Sequence, residues 1–490
     1  MLKPLRNVSL VGFVMFALLF GSTSWIQYFS AQRLAEDPLN TRGIREALDR
    51  HRGPLLVDGS PIASSVETED GVYDYQRTYG SEGLDPEVYA AATGYFMVTN
   101  ATTGLERTEN SLLSGTDDAL FFDQAGSWFT GQEPMGASVS LTLDPQAQQA
   151  AWDALGGQKG AVVALDPSTG DVLAMVSTPG WDPNDLAVHD STAATEAYDA
   201  LVEDEDDPLY NRAIAGNLYP PGSTFKLVTA AAALESGDYS ADSVLPGPAT
   251  LDLPQTSATI SNSNRAACGP GDEVTLATSL EISCNTSFAQ LGMDLGPEVM
   301  ADQAAEFGFG RDLDIPLPVT PSSFPADTDE PQLAQSSIGQ FEVRTTPMQM
   351  AMVASAIAGD GALMEPRLVA EVRNARTLDL IEQPSPREFS RPVSEETAAT
   401  LTDMMVSVTE SGTGTAGAIP GVDVAAKTGT AQHAEGAAPH AWFTSFAPAD
   451  DPQVAVAVVV ESGGNAGSEA SGGSSAGPIA KAVMEAVIDQ

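Results

Sequence analysis

The feature that most constrains how this chain can fold is a turn that runs directly into an apolar helix, in residues 219–230. The Pro-Pro-Gly run at 220–222 ends whatever element precedes it, and the apolar residues that follow predict a buried helix. Ser223 stands where the first helical turn begins, and Lys226 projects from the same helix face. A serine hydroxyl at a helix N-terminus with an amine in reach has the geometry of an activated nucleophile.

The alternative is an exposed lysine that happens to follow a common serine. Lysine is scarce, however, because only five of the 22 basic residues are lysines, and only Lys226 follows a serine by three positions. The five are Lys3, Lys159, Lys226, Lys427 and Lys481. This scarcity favours the functional interpretation of the pair.

The N-terminus carries a long apolar run. Lys3 and Arg6 precede residues 8–29, which contain no charged side chain, and roughly 20 apolar residues suffice to span a bilayer. A signal peptide is the alternative, but the run is long and no clear Ala-x-Ala cleavage site follows it. We therefore expect a cytoplasmic tail at 1–7, a transmembrane anchor at 8–29 and an extracytoplasmic remainder.

Composition excludes two classes of function. The net charge of −45 leaves too few basic residues for a nucleic-acid surface. The four histidines and two cysteines show no metal-ligand spacing, so we predict neither a metal site nor a cofactor.

Residues 30–139 form a polar region of short alternating segments, which predicts a small β-rich module. Four arginines, Arg42, Arg45, Arg50 and Arg52, cluster just past the apolar run. We interpret them as a solvated helix face that meets anionic headgroups.

Residues 140–490 combine helices and strands. The pattern predicts helices at 145–155, 346–357 and 478–488, a hairpin at 160–177, and strands at 424–432, 440–446 and 454–461. The glycine- and serine-rich segment 462–477 is predicted to be a loop, and 277–291 fits either helix or loop. The fold class is therefore α+β, with an antiparallel sheet covered by helices.

Three short motifs follow one another along the chain. They are Ser223-x-x-Lys226, Ser283-x-Asn285 and Lys427-Thr428-Gly429. In chemical terms, Ser223 can attack a carbonyl once a neutral Lys226 takes its proton, and a cationic Lys427 nearby would keep Lys226 neutral. Ser283 can relay a proton to a leaving amine, and Asn285 can hold a substrate amide or orient Lys226.

The third motif has the features of a substrate-binding strand. Thr428 offers a hydroxyl to a substrate carboxylate, and Gly429 allows a substrate backbone to lie along the strand. The developing oxyanion needs two aimed N–H donors, for which the backbone amides of Ser223 and Thr430 are candidates.

This set of motifs resembles that of penicillin-binding proteins and class A β-lactamases. Nearly the whole chain is similar to a class B penicillin-binding protein, a peptidoglycan D,D-transpeptidase, and most like the actinobacterial cell-division type. The further matching segments are 94–95, 104–106, 160–177, 211–213, 337–340, 345–350 and 442–443.

The resemblance implies a pedestal, or dimerisation-like, domain at 30–139 and a penicillin-binding/β-lactamase-like transpeptidase domain at 140–490. It implies that Ser223 is acylated by the D-Ala-D-Ala end of a stem peptide and passes the acyl group to an amine, and that β-lactams acylate the same serine. It also implies a partner, a lipid-II-polymerising membrane glycosyltransferase of the cell-wall machinery. No motif for a glycosyltransferase domain of its own is evident.

One residue departs from the family pattern. The middle residue of the second motif is Cys284, and the only other cysteine is Cys268, sixteen residues earlier. Outside the membrane two such cysteines can pair, so we predict a disulfide that braces the Ser283 loop. The alternative is two free thiols.

Two other functions remain open from the sequence. A D,D-carboxypeptidase or β-lactamase would use the same acyl-enzyme with water as acceptor, but no Glu-x-x-x-Asn segment follows Asn285 closely. A membrane scaffold or sensor of the same fold would not turn over substrate, but the intact motifs weigh against it.

Overall fold

The computed structural model describes residues 2–29, 48–69, 71–98, 102–120, 135–216, 218–434 and 436–489. Arg42 and Arg45, two of the four clustered arginines, lie outside these residues.

The N-terminal apolar run forms helix α1 (Leu2–Ser24), extended by one wider turn, Trp25–Phe29. Within the described residues, Arg6–Tyr28 is the one helix that is long and apolar enough to cross a membrane, and none of it is buried against the rest of the protein. This is consistent with a single-pass membrane anchor.

The strands and helices occupy both predicted regions. The strands are β1 Leu55–Val57, β2 Ser60–Glu67, β3 Tyr75–Tyr79, β4 Ala137–Leu141, β5 Gly160–Leu165, β6 Val172–Thr178, β7 Val244–Pro246, β8 Thr250–Asp252, β9 Thr259–Ser261, β10 Glu273–Thr275, β11 Leu313–Asp314, β12 Pro318–Val319, β13 Leu363–Met364, β14 Val369–Asn374, β15 Leu380–Glu382, β16 Glu388–Ser390, β17 Ala425–Ala431, β18 His440–Ala447 and β19 Val454–Val460. The α-helices after α1 are α2 Pro86–Thr93, α3 Gly104–Thr108, α4 Asn110–Leu113, α5 Pro145–Leu155, α6 Ser191–Glu203, α7 Lys226–Glu235, α8 Leu276–Glu281, α9 Asn285–Leu295, α10 Pro297–Glu306, α11 Glu330–Ser336, α12 Pro347–Ala358, α13 Glu395–Glu410 and α14 Gly477–Ile488.

The first sheet has six strands in the order β15-β14-β4-β1-β2-β3. Strand β1 pairs parallel with β4, while the other neighbours are antiparallel. Two of its strands, β14 and β15, come from far along the chain and extend the sheet beside β4. The β-rich region predicted from the sequence therefore also contains helices α2 to α4. Its sheet includes two strands from beyond residue 360.

A buried ion cluster lies beside this sheet. Arg52 and Arg77 donate to the two carboxylate oxygens of Glu106 at 2.5 and 2.6 Å, and all three side chains are at most 2 % exposed. Burial raises the pKa of Glu106, but the charges of Arg77 and Arg52 outweigh it and hold the pKa below its usual value. The expectation that Arg52 lies on a solvated face is therefore wrong, because its guanidinium is taken up by this carboxylate.

The second sheet has five antiparallel strands in the order β17-β18-β19-β5-β6. Successive side chains of β5 point to opposite faces of this sheet, and helices cover both faces. Ala161 and Val163 pack with the core that includes α12, whereas Val162 and Ala164 pack with α5 and α14. The predicted sheet covered by helices is confirmed, and β17 forms one open edge of it.

Most of the predicted elements in this region are present. The hairpin at 160–177 forms β5 and β6, and the helices predicted at 145–155, 346–357 and 478–488 are α5, α12 and α14. The ambiguous stretch 277–291 contains two helices, α8 and α9, separated by a short break that carries the second motif. The predicted loop 462–477 is irregular at its start, where Ser462, Gly463, Gly464 and Gly467 have positive φ, and it contains one wide helical turn, Gly472–Ala476.

Candidate active site

The proposed nucleophile lies in a tight turn ahead of helix α7. Gly222–Phe225 form a 3-10 turn, and Gly222 has φ of 55°, a conformation that glycine adopts at little cost. The amide of Gly222 donates to the carbonyl of Gly339 at 2.9 Å, which fixes the turn to a neighbouring loop. Ser223 is half-buried and lines a cleft of about 740 Å³.

Two lysines lie fully buried beneath this cleft. Lys226 Nζ donates to the Ser283 carbonyl and to Asn285 Oδ1, both at 2.8 Å, and lies 3.3 Å from Ser283 Oγ. Lys427 Nζ donates to Ser283 Oγ at 2.8 Å and to the Thr428 carbonyl at 3.0 Å. Ser283 Oγ therefore lies between the two amines and joins the three motifs in one hydrogen-bonded group.

Burial sets the charge state of these amines. Desolvation, and then the charge of Lys427, hold the pKa of Lys226 well below its usual value. Desolvation alone lowers the pKa of Lys427 to about 7. Burial therefore favours the neutral form of both amines, and the charge of Lys427 favours it further at Lys226.

A buried asparagine that sequence reasoning missed holds the second motif. Asn262 Oδ1 accepts from the backbone amides of Asn285 and Thr286 at 3.0 and 3.1 Å, the first amides of helix α9. The Asn285 side chain donates from Nδ2 to the Ser261 carbonyl at 3.0 Å, which turns its Oδ1 toward Lys226. No local pattern marks Asn262, because the two amides that it caps lie more than twenty residues away.

The break between α8 and α9 has an unusual backbone. Ser283 has φ of 60°, the left-handed region that favours glycine, so this serine is held there by its surroundings. Cys284 forms a disulfide with Cys268, as predicted, with 6.0 Å between their Cα atoms. The disulfide ties the break to the segment before β10.

Strand β17 carries the third motif along the open edge of its sheet. Thr428 Oγ1 lies 2.6 Å from Thr413 Oγ1, a second residue that the sequence did not mark. A Cβ at Gly429 would come within 2.9 Å of the Pro221 carbonyl and of Trp442 Cβ. The structural requirement for Gly429 is therefore the close packing of β17 against the nucleophile turn.

The structure brings the predicted site residues together. Ser223, Ser283, Asn285, Thr428 and Thr430 line one cleft, while Lys226 and Lys427 lie below its floor. The cleft is also lined by Ser471, Gly472 and Gly473 from the segment that was predicted to be a plain loop.

The chain matches two family models. Residues 160–485 match the penicillin binding protein transpeptidase domain, and residues 52–139 match the penicillin binding protein A dimerisation domain. The chain therefore belongs to the penicillin-binding protein transpeptidases, and its organisation is that of the class B enzymes, which are peptidoglycan D,D-transpeptidases acting through a serine.

The relatives make the type more specific. The peptidoglycan D,D-transpeptidase PbpA of Mycolicibacterium smegmatis is 43% identical over 99% of this chain and 98% of its own length. That of Mycobacterium tuberculosis is 40% identical with the same coverage. The predicted likeness to an actinobacterial class B enzyme is confirmed.

Solved structures agree with this. The ceftriaxone acyl-enzyme complex of penicillin-binding protein A from M. tuberculosis superposes with a TM-score of 0.86 at 41% identity, covering 91% of this chain and 100% of that one. The imipenem acyl-enzyme complex of the same protein gives a TM-score of 0.85 at 40% identity, with the same coverage.

Proposed function

We propose that Ser223 is the nucleophile of this transpeptidase and that Lys226 is its general base. The observation that carries the proposal is the hydrogen bonding of Lys226 Nζ. The Ser283 carbonyl and Asn285 Oδ1 can only accept, so they take two hydrogens of Lys226 Nζ and orient the amine, while its burial favours the neutral form. A neutral amine, one helical turn after Ser223, can take the hydroxyl proton.

The remaining roles follow from position and charge. Lys427 and Thr428 bind the terminal carboxylate of the stem peptide beside β17. This is an edge strand of its sheet, so the substrate backbone can pair with it as an added strand. The backbone amides of Ser223 and Thr430 stabilise the oxyanion. Gly429 keeps β17 close to the nucleophile turn, which brings these two amides to the same cleft.

In the acylation step Ser223 Oγ bonds to the carbonyl carbon of the penultimate D-alanine as its proton passes to Lys226. The carbon–nitrogen bond to the last D-alanine then breaks, and the leaving amine receives that proton through Ser283 Oγ, which lies between both lysines. In the second step an amine of another stem peptide attacks the ester, loses a proton along the same path, and frees Ser223.

β-Lactams acylate the same serine in this proposal. The M. tuberculosis relative forms acyl-enzymes with ceftriaxone, imipenem and penicillin G, and its fold is closely similar to that of this chain. A β-lactam carboxylate would occupy the position of the stem-peptide carboxylate beside Lys427.

We further assign residues 1–7 to the cytoplasm, 8–29 to a membrane anchor, 30–139 to the pedestal domain and 140–490 to the transpeptidase domain. Lys3 and Arg6 before the apolar run support this orientation. The Cys268–Cys284 disulfide supports an oxidising, extracytoplasmic location for the catalytic domain. The role in cell division and the partner glycosyltransferase are proposals from the likeness to the cell-division type.

The test is turnover of a stem pentapeptide by the full-length protein in detergent. Wild type should release D-alanine and, with an added amine, form the amide product, whereas Ser223→Ala should do neither. Release of D-alanine that survives in Ser223→Ala would contradict the assignment of the nucleophile. Release by wild type without any amide product would indicate a carboxypeptidase.

A further inference from the structure

A second cavity adjoins the catalytic cleft. Its volume is about 640 Å³, and Gln340 and Gln432 line both cavities. The nucleophile segment contributes Tyr219 and Pro220 to its wall. A ligand that reaches past these two glutamines from the cleft enters this second cavity, which we name the Arg344 cavity.

Two arginines line the Arg344 cavity, and they differ in their charge partners. Arg212 Nε donates to Glu461 Oε1 at 2.9 Å, so its charge is neutralised within the protein. Arg344 donates from Nη1 to the carbonyls of Phe341 and Val343, both at 2.8 Å. Within the residues that the structure describes, no carboxylate lies at ion-pair distance from Arg344.

This unpaired charge is notable in so acidic a chain. There are 67 acidic residues for 22 basic ones, so a half-buried guanidinium without a carboxylate partner is not explained by a shortage of carboxylates. The two contacts of Arg344 with backbone carbonyls both use Nη1, which leaves the other nitrogens of the planar guanidinium for a ligand. Arginine presents such a fork to carboxylates in a bidentate geometry.

The position of Arg344 is fixed relative to the nucleophile. Its neighbour Thr345 exchanges two backbone hydrogen bonds with Tyr219, at 3.0 and 2.8 Å. At the other end of the same loop Gly339 accepts from the amide of Gly222, next to Ser223. A group bound by Arg344 is therefore held in register with the reacting serine.

We propose that the Arg344 cavity is a stem-peptide subsite in which Arg344 binds a carboxylate other than the one held at Lys427. This inference rests on the proposed transpeptidase function and names a second recognition point for its substrate. The carboxylate can belong to the donor peptide, upstream of the scissile bond, or to the acceptor peptide that brings the amine. Either peptide would present a carboxylate to Arg344, and the rates of the donor and acceptor reactions distinguish the two.

The experiment compares full-length Arg344→Gln with wild type, with Arg344→Lys, and with Arg391→Gln as a control. Arg391 is an exposed arginine that pairs with Glu388 away from the site. Benzylpenicillin acylation is measured first, because penicillin reaches Ser223 without the second carboxylate. All four proteins should be acylated at the same rate within about twofold. Failure in wild type would refute the proposed function, whereas loss in Arg344→Gln alone would make Arg344 a scaffold residue and overturn only the subsite.

The donor arm uses a stem pentapeptide and its analogue in which the carboxylates upstream of D-Ala-D-Ala are amidated. The acceptor arm uses a thioester of D-alanine without a stem, with capture of the acyl group by a stem tripeptide that carries the acceptor amine and has its carboxylates either free or amidated. If the carboxylate belongs to the donor, Arg344→Gln should lower the rate of D-alanine release from the free pentapeptide at least about tenfold. The rate for the amidated pentapeptide should change little.

If the carboxylate belongs to the acceptor, Arg344→Gln should lower capture by the free tripeptide by a similar factor and leave capture by the amidated tripeptide unchanged. Arg344→Lys should restore part of either loss because it keeps the charge. Equal rates for Arg344→Gln and Arg391→Gln in both arms would overturn the proposal.

Discussion

Two buried amines set the chemistry at the scale of single residues. Lys226 and Lys427 are both fully buried, which disfavours their charged forms, and Ser283 Oγ contacts both. Burial lowers the pKa of both amines, and the charge of Lys427 lowers that of Lys226 further, so we infer that Lys226 serves as a base while Lys427 is a cation. The same burial therefore provides both the base and the carboxylate-binding charge.

These pKa shifts predict a bell-shaped pH profile for benzylpenicillin acylation. As pH rises through the lowered pKa of Lys226, the amine becomes neutral and the second-order rate constant should rise. Above the pKa of Lys427, about 7, that lysine loses its charge and the rate constant should fall. The control is a penicillin methyl ester, which lacks the carboxylate and should show no falling limb. A rate constant for penicillin that is still rising at about pH 9 would contradict this assignment of the two lysines.

Asn262 is a positioning residue that acts through Asn285. Its Oδ1 caps helix α9, and its Nδ2 donates to the carbonyls of Pro248 and Ala266 at 3.0 and 2.9 Å. Asn262→Ala leaves buried amides and carbonyls without partners, so we expect a loss of about 2 kcal/mol in the free energy of unfolding. Because the Ser283 loop then loosens, acylation by penicillin should slow about tenfold. That factor corresponds to about 1.4 kcal/mol in the activation free energy.

The matched control for Asn262 is Asn264→Ala. Asn264 is exposed and makes only a local bond to the amide of Ala266, so its loss should change stability by less than about 0.5 kcal/mol. Urea unfolding and penicillin kinetics on both variants measure the difference. Equal behaviour of the two variants would show that the capping bond does not position the second motif.

At the scale of elements, the disulfide constrains the break between α8 and α9. It closes a loop of sixteen residues. Because such a loop restricts the unfolded chain, the disulfide should add about 3 kcal/mol to the free energy of unfolding. Cys268→Ala should therefore lower the urea midpoint and slow acylation, since the Ser283 backbone is no longer braced. Adding a reductant to wild type should reproduce both effects and leave Cys268→Ala unchanged. Insensitivity of wild type to the reductant would contradict the bracing role.

The ion cluster of Arg52, Arg77 and Glu106 joins the segment before β1, strand β3 and helix α3. Glu106→Gln would leave two buried guanidiniums without a counter-charge, which typically costs about 3–5 kcal/mol. The control is Glu82→Gln, because Glu82 is exposed and forms no ion pair within the part of the chain that the structure describes. We expect thermal unfolding to begin at a lower temperature in Glu106→Gln only, with penicillin acylation unchanged below that temperature.

The same cluster has a pH dependence of a definite sign. The pKa of Glu106 in the folded protein lies below its unfolded value, so its contribution to stability is present above the unfolded pKa. That contribution is lost as pH falls through the folded pKa. Wild type should therefore lose its stability advantage over Glu106→Gln in acid, and an advantage that grows in acid would contradict the ion pairing.

At the scale of the whole molecule, local patterns predicted much of the fold. Helix α12, which begins at Pro347, and the hairpin of β5 and β6 each carry their signal within a few residues. The three motifs could also be identified from the sequence, because each is short and contains chemically specific residue types. Lys226 and Lys427 were expected to act together, and the structure brings both to Ser283.

What the sequence did not predict depends on distant pairing. Strands β14 and β15 extend a sheet whose other members lie more than 200 residues earlier, and no local pattern marks such a partner. Arg52 looked like a solvated arginine because Glu106, which neutralises it, is 54 residues away. Asn262 and Thr413 were missed for the same reason, since each contacts a motif from another segment.

The proposed activity of the whole molecule depends on one covalent step at Ser223. Its most direct test is incubation of the full-length protein with a fluorescent penicillin, wild type beside Ser223→Ala, followed by peptide mapping. We predict a stable adduct in wild type, located on the peptide that contains Ser223, and no adduct in the variant. An adduct on any other residue, or equal labelling of both proteins, would contradict the assignment of Ser223 as the nucleophile.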